Sequence, residues 1–184
     1  AAAPAGRNYR EELVRVDYNL SNAHRFFGRW VHDSIPSTEP YGEVFGTNNA
    51  AFPGIAETKT KIPAQNVVAE WTWIPSSTMI NNVAFNYSRG GIQSEITGNA
   101  ERNIQGFTAP ELFPANPANL LPGISFGGTG EYGGFDFFGP YDNSYGSKRI
   151  KDTLSIVKGK HSVKMGYLYS HEFKNENAGS GVNG

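Results

Sequence analysis

The residues able to do chemistry in this chain are scattered rather than grouped. The candidate acids are Asp17, Glu70, Asp152 and Glu172. Paired acid–base work needs two carboxyls held across a substrate with their pKa values pushed apart. Nothing in this spacing holds two together, so they read as solvated or lumen-facing charges. The four histidines are His24, His32, His161 and His171. None stands in an HxH or HExxH pattern, the spacings that gather zinc ligands. No metal, cofactor or catalytic residue follows from them. Ser125 sits in Gly123-Ile-Ser-Phe-Gly127 and satisfies the bare G-x-S-x-G pattern. A nucleophile elbow needs a strand before it and a helix after it. Pro122 and a run of glycines flank this one instead. Residues 127–134 lack the lysine of a phosphate-binding loop.

The best candidate for ligand contact is the stretch from Gly127 to Tyr141, GGTGEYGGFDFFGPY. Tyr132, Phe135, Phe137, Phe138 and Tyr141 offer flat faces for a sugar or siderophore, and the glycines let a backbone approach closely. The alternative is that these aromatics bury the loop against whatever lies beneath it.

The elements that would carry this loop are alternating strands. Val14, Val16, Tyr18 and Leu20 point one way, and Arg15, Asp17 and Asn19 the other. Val67, Ala69, Trp71 and Trp73 alternate with Asn66, Val68, Glu70 and Thr72. Val163, Met165, Tyr167 and Tyr169 alternate with Lys164, Gly166, Leu168 and Ser170. Period-2 patterning marks strands with two unlike faces. Turn residues follow at Leu20–Arg25, Ile74–Met79 and Val157–His161. The pattern gives hairpins over 11–33, 65–88 and 147–173. Between them run loops 34–64 and 89–146, punctuated by Pro36, Pro40, Pro53, Pro63, Gly42, Gly46 and Gly54. Residues 1–10 read as a flexible lead-in and 174–184 as the start of a further loop. Fold class is all-β: an antiparallel meander of about six long strands.

Composition narrows the partners. Of 184 residues, 18% are charged and 13% aromatic, with a net charge of −1 and no cysteine. No basic field favours nucleic acid, and no disulfide or Cys-ligated zinc site can form. No run of 18 apolar residues is present, which excludes a transmembrane helix but not a barrel, whose strands carry about 10 alternating residues.

A soluble β-sandwich, as a binding module or hydrolase, would use the same alternation. Three features favour a transmembrane β-barrel. The expected strands are about 10 residues long, enough for a tilted crossing. Short turns and long loops fall on opposite ends. Aromatics gather toward strand ends at Tyr18, Trp30, Trp71, Trp73, Phe85, Tyr87, Tyr167 and Tyr169, as in interfacial girdles. Those rings would meet outer-membrane lipid. Arg15, Arg29, Glu70, Lys151 and Lys164 would face the lumen, and Asp152 falls as a flaw on the apolar side. Open sheet edges offer a further reading, a structural protein that self-associates through them.

Three segments carry a resemblance. ELVRVDYNLSNAHRFFGRW, NVVAEWTWIPSSTMINNVAFNYSR and LSIVKGKHSVKMGYLYSHEF resemble, in order, hairpins of TonB-dependent outer-membrane receptors. The likeness is closest to the Oar-like transporters with a carboxypeptidase-regulatory-like domain. It implies a barrel of about 22 strands, a plug in its lumen, and energised uptake of a large nutrient through a TonB partner in a Gram-negative outer membrane. With about six strands and neither plug nor TonB box, the chain reads as a piece of such a barrel, since about eight strands are the fewest that close.

Overall fold

The computed structural model describes residues 4–42, 53–103, 106–111, 116, 119–124, 133–137 and 140–177. They form one antiparallel sheet with no helix among the described residues. The strands are β1 (Gly6–Arg7), β2 (Arg10–Asn19), β3 (His24–Glu39), β4 (Thr58–Ser76), β5 (Met79–Ile96), β6 (Tyr141–Lys158) and β7 (His161–Asn177). β1 and β2 both pair with β3, and the order then runs β3-β4-β5-β6-β7. The sheet is therefore a meander six strands wide, with one edge strand in two pieces. It is not closed.

The turns are short for local reasons. Ser21 Oγ accepts hydrogen bonds from the backbone N–H of Ala23 and of His24, both at 3.1 Å, and folds the first hairpin. Gly159 takes φ +60°, the left-handed conformation that a two-residue hairpin turn asks for. Ser77–Thr78 has no positive φ, and the mismatch in twist is absorbed by a register shift between Trp73 and Ser76. Neighbouring hairpins are laced together at this end by Ile74 N–H to the Ala23 carbonyl and Val157 N–H to the Thr78 carbonyl, each 2.8 Å.

At the other end the strands are much longer than alternation suggests. β3 to β7 hold 16 to 19 residues. Residues 34–39, 58–64, 89–96 and 141–146, read as loop, are strand, as are 174–177. Part of the expected lead-in is also strand, since Gly6 and Arg7 pair with Thr38 and Ser37. Breakers misled the reading because the sheet tolerates them. Pro63 pairs with Ser34 on one side, and the ladder to β5 skips it, running from Lys61↔Gln93 to Ala64↔Gly90. A proline has no N–H to give, so the skip is its signature. The ring of Tyr145 lies over Gly90, where an added Cβ would meet it at 3.1 Å.

The dry core sits at the loop end rather than in the sheet. Ala56, Ala100, Leu120, Leu121 and Phe137 are buried together, with Ile55, Ile96, Phe107 and Phe135 packed around them. Bridges Glu101↔Leu120 and Ile124↔Phe135 tie this cap to itself. Thr97 N–H to the Glu57 carbonyl and Asn99 N–H to the Gly54 carbonyl tie it to the chain before β4. The stretch expected to be a structureless loop thus carries the one buried cluster found among the described residues.

Candidate functional site: the two faces of the sheet

Register sorts every strand residue onto one of two faces. One row reads Tyr18–Phe26–Trp71–Val83–Asp152–Tyr167 across β2 to β7, and the next Val16–Gly28–Ala69–Phe85–Ile150–Tyr169. Further rows add Trp73, Asn81, Leu154 and Met165 toward the turns, and Val14, Trp30, Val67 and Tyr87 toward the loops. All eight expected interfacial aromatics share this apolar face. Tyr167 is 66% exposed, Val16 60% and Val14 53%. So large a bare apolar surface has to be covered by something that is not water. Its band spans about five rows, roughly 27 Å along the strands; at a barrel's usual tilt that stands close to the ~25 Å apolar belt of outer-membrane barrels. Trp71 and Trp73 stack on each other and on His24, and Trp71 Nε1 donates to His24 Nδ1 at 3.2 Å.

The opposite face is polar through its middle, although Leu13, Phe27, Val68 and Leu168 lie on it. Arg15, Arg29, Glu70, Lys151 and Lys164 all belong to it. One row reads Arg15–Arg29–Val68–Asn86–Arg149–Ser170. Arg15 stands directly opposite Arg29, an arrangement that destabilises a ladder unless the charges are answered. Arg15 turns to Asp17, with bonds of 2.7 and 2.9 Å, and lies 4.6 Å over the Phe27 ring. Arg29 turns the other way and donates to Asn66 Oδ1 at 3.1 Å. Asn82 donates to Glu70 at 2.6 Å and to Thr72 at 3.0 Å. Arg149 reaches Glu172 at 2.8 Å and Ser170 at 3.1 Å. Alternation puts Arg149, Asn66 and Asn82 on this side in the sequence as well, but the lumen-facing set read from it does not include them.

The cap lies over the loop end of this polar face. Thr58, Thr60, Ser94, Asn143 and Tyr141, all of that parity, are buried beneath it. Thr60 and Ser94 hydroxyls meet at 3.0 Å. Of the five aromatics expected to meet ligand, Phe137 is buried in the cap core and Phe135 packs against it, ring centroids 5.6 Å apart. Tyr141 is buried too. Its hydroxyl donates to Glu176 at 2.6 Å and accepts from Asn143 at 3.0 Å. These two groups lie beyond the apolar band. The Lys174 ammonium and then the Tyr141 hydroxyl hold the Glu176 carboxyl below its ordinary range. Tyr132, Phe138 and Ser125 lie outside the described residues.

Among the described residues the candidate acids do not form a catalytic pair. Asp17 and Glu70 share a row but stand on either side of Phe27, two strand spacings or about 10 Å apart. Asp152 is on the other face. His32 pairs with Glu12 at 3.0 Å, and His171 stacks on Phe173. No group of three metal-binding side chains occurs among the described residues. What the arrangement can do is separate an apolar medium from a hydrated, charged one.

A family model for an outer membrane beta barrel domain matches residues 1–184. No curated protein and no solved structure matches the chain. With the whole length matched and one face of an antiparallel sheet apolar over a membrane-sized band, the chain belongs to the outer membrane β-barrel domain family.

Proposed function

We propose that this chain forms part of the barrel wall of a TonB-dependent receptor, taking up a large nutrient such as a siderophore or saccharide across a Gram-negative outer membrane. The observation that carries this reading is the polar face. Arg15, Arg29, Glu70, Lys151 and Lys164 stand together on it, opposite the apolar band, as residues lining a hydrated lumen would. A row with three arginines fits contact with a polar plug. The plug and TonB would act through the complete receptor. The three-hairpin resemblance supports a large barrel, and the open sheet suits a wall that continues into further strands. The tall strands and their cap support a reading in which the ligand's first contacts lie at the loop end, where Phe135 is the partly exposed member of the expected set and Tyr132 and Phe138 stand near it in sequence. The role is transport without catalysis.

The test is uptake by cells carrying the full-length receptor. Accumulation of the nutrient that supports growth should collapse when the proton gradient is dissipated or TonB is removed. Uptake that survives both treatments would identify a passive pore instead. The second reading, self-association through open edges, draws on β7, exposed along nearly its whole length with no partner on its outer side among the described residues. In a complete barrel that edge is paired.

A further inference from the structure

We infer that the apolar face carries a binding site for the phosphate of an anionic lipid headgroup, built from Arg89, Lys148 and His171 at the loop-side rim of the apolar band. The inference rests on the reading of that face as lipid-facing.

The five rows of the band contain no lysine or arginine until its last row, Val14–Trp30–Val67–Tyr87–Lys148–His171. The row above reads Glu12–His32–Gln65–Arg89–Gly146–Phe173. Cations therefore begin where Trp30 and Tyr87 mark the interface, the level of lipid headgroups. Lys148 and His171 are direct cross-strand neighbours, about 5 Å apart, and Arg89 is diagonal to Lys148 at about 7 Å. A phosphate fits among three such groups. Basic residues near a membrane surface attract anionic headgroups in this way.

Two features make this more than surface charge. Neither the Arg89 nor the Lys148 side chain has a hydrogen bond or ion pair among the described residues, whereas Arg10 and His32 on the same face are both taken up by Glu12. A hollow of about 240 Å³ also opens beside Arg89, lined by His32, Gln65, Gly91 and Ser144. Its described acid, Asp142, lies two rows toward the loops, so an anion enters from the band side. Below it, a groove of about 420 Å³ runs over Gly28 and Ala69 between Tyr18, Phe26, Trp71 and Phe85. An added Cβ at Gly28 would touch nothing within 4 Å, so the groove floor is open. Headgroup and acyl chain thus find adjoining places on one face.

The test uses the full-length protein in nanodiscs of zwitterionic lipid doped with a phosphate-monoester lipid, read by native mass spectrometry of retained lipid. Arg89→Ala/Lys148→Ala should weaken retention roughly thirty-fold, from about 1 kcal/mol per cation. The charge-matched Arg25→Ala/Lys164→Ala, both on the polar face, should change it less than two-fold. Excess inorganic phosphate should compete weakly, because it lacks the acyl chain. Equal retention by wild type and Arg89→Ala/Lys148→Ala overturns the inference, and so does full competition by inorganic phosphate, which would mean a free-anion site. Quenching of Trp30 and Trp71 by brominated acyl chains separates the two levels. Quenching intact with retention unchanged removes the headgroup site alone; quenching absent removes the lipid-facing reading with it.

Discussion

The turn half and the loop half of this sheet solve the problem of apolar surface in opposite ways. In the turn half the apolar side chains are on the face with no protein cover: Val16, Tyr18, Met165 and Tyr167 are all more than half exposed. In the loop half the buried side chains gather on the opposite face, where Thr58 and Ser94 are buried and Ile96 packs against the cluster of Leu120, Leu121 and Phe137. The same strands thus carry bare apolar surface on one side low down and protein cover on the other side high up. Strand length is what allows both, since 16 to 19 residues exceed the 9 to 11 of a crossing. The lower half is a wall, and the upper half is a support for a folded cap.

The comparison breaks first in the cap. Phe137→Ala should remove roughly 3–5 kcal/mol of local packing, as large-to-small changes in dry cores do. Limited proteolysis should then cut between residues 97 and 140, while the tryptophans of the apolar band keep their emission. A variant whose band unfolds together with the cap would show the two halves to be one cooperative unit.

The next largest effect tests the faces by moving one residue along a strand. Phe85→Arg puts a cation on the apolar face and should cost about 2–4 kcal/mol in lipid vesicles, the range for mid-membrane arginine on a barrel exterior. Asn86→Arg, its neighbour on the polar face, should cost much less. Urea unfolding of the two in vesicles decides the matter, and equal costs would mean the faces are not segregated by solvent.

How much of this was legible beforehand follows from what each half depends on. In the turn half, side-chain parity alone sorts the residues, so Tyr18, Trp71 and Tyr167 could be placed together without coordinates, as could Arg15 and Lys151. In the loop half, parity is overwritten. Pro63 and Gly90 signal breaks that the ladder absorbs by skipping a pair and by laying Tyr145 over a glycine. The cap was illegible for another reason. Ala56, Ala100, Leu120 and Phe137 have no period, because their contact is made by a path of irregular chain rather than by a repeating element. Pair contacts such as Arg149 with Glu172 need the register of β6 against β7, which alternation constrains only to one residue in two.

A smaller effect of opposite sign is expected at Asp152. It lies in the middle of the apolar band, opposite Tyr167, exposed and with no partner among the described residues. A carboxylate there costs less than an arginine would, but it does cost. Asp152→Leu should therefore raise stability in vesicles by about 1 kcal/mol. A loss on this substitution would show that a polar group of another protein meets Asp152 within the membrane.

The smallest effect is electrostatic and belongs to the loop half. Glu176 sits at the end of β7 beside Lys174 and receives the Tyr141 hydroxyl, and both hold its carboxyl below the ordinary range. A group depressed in the folded state contributes stability that is fully present above its unfolded value, about 4.3. That contribution is lost as pH falls through the lower, folded value. The loop ends of β6 and β7 should therefore hold at neutral pH and loosen only in acid. Hydrogen exchange at Tyr141 to Asn143, extrapolated across pH 3 to 7, should show faster opening at the acid end. Glu176→Gln should open faster than wild type at neutral pH, match it at the acid end, and show little change of its own on acidification.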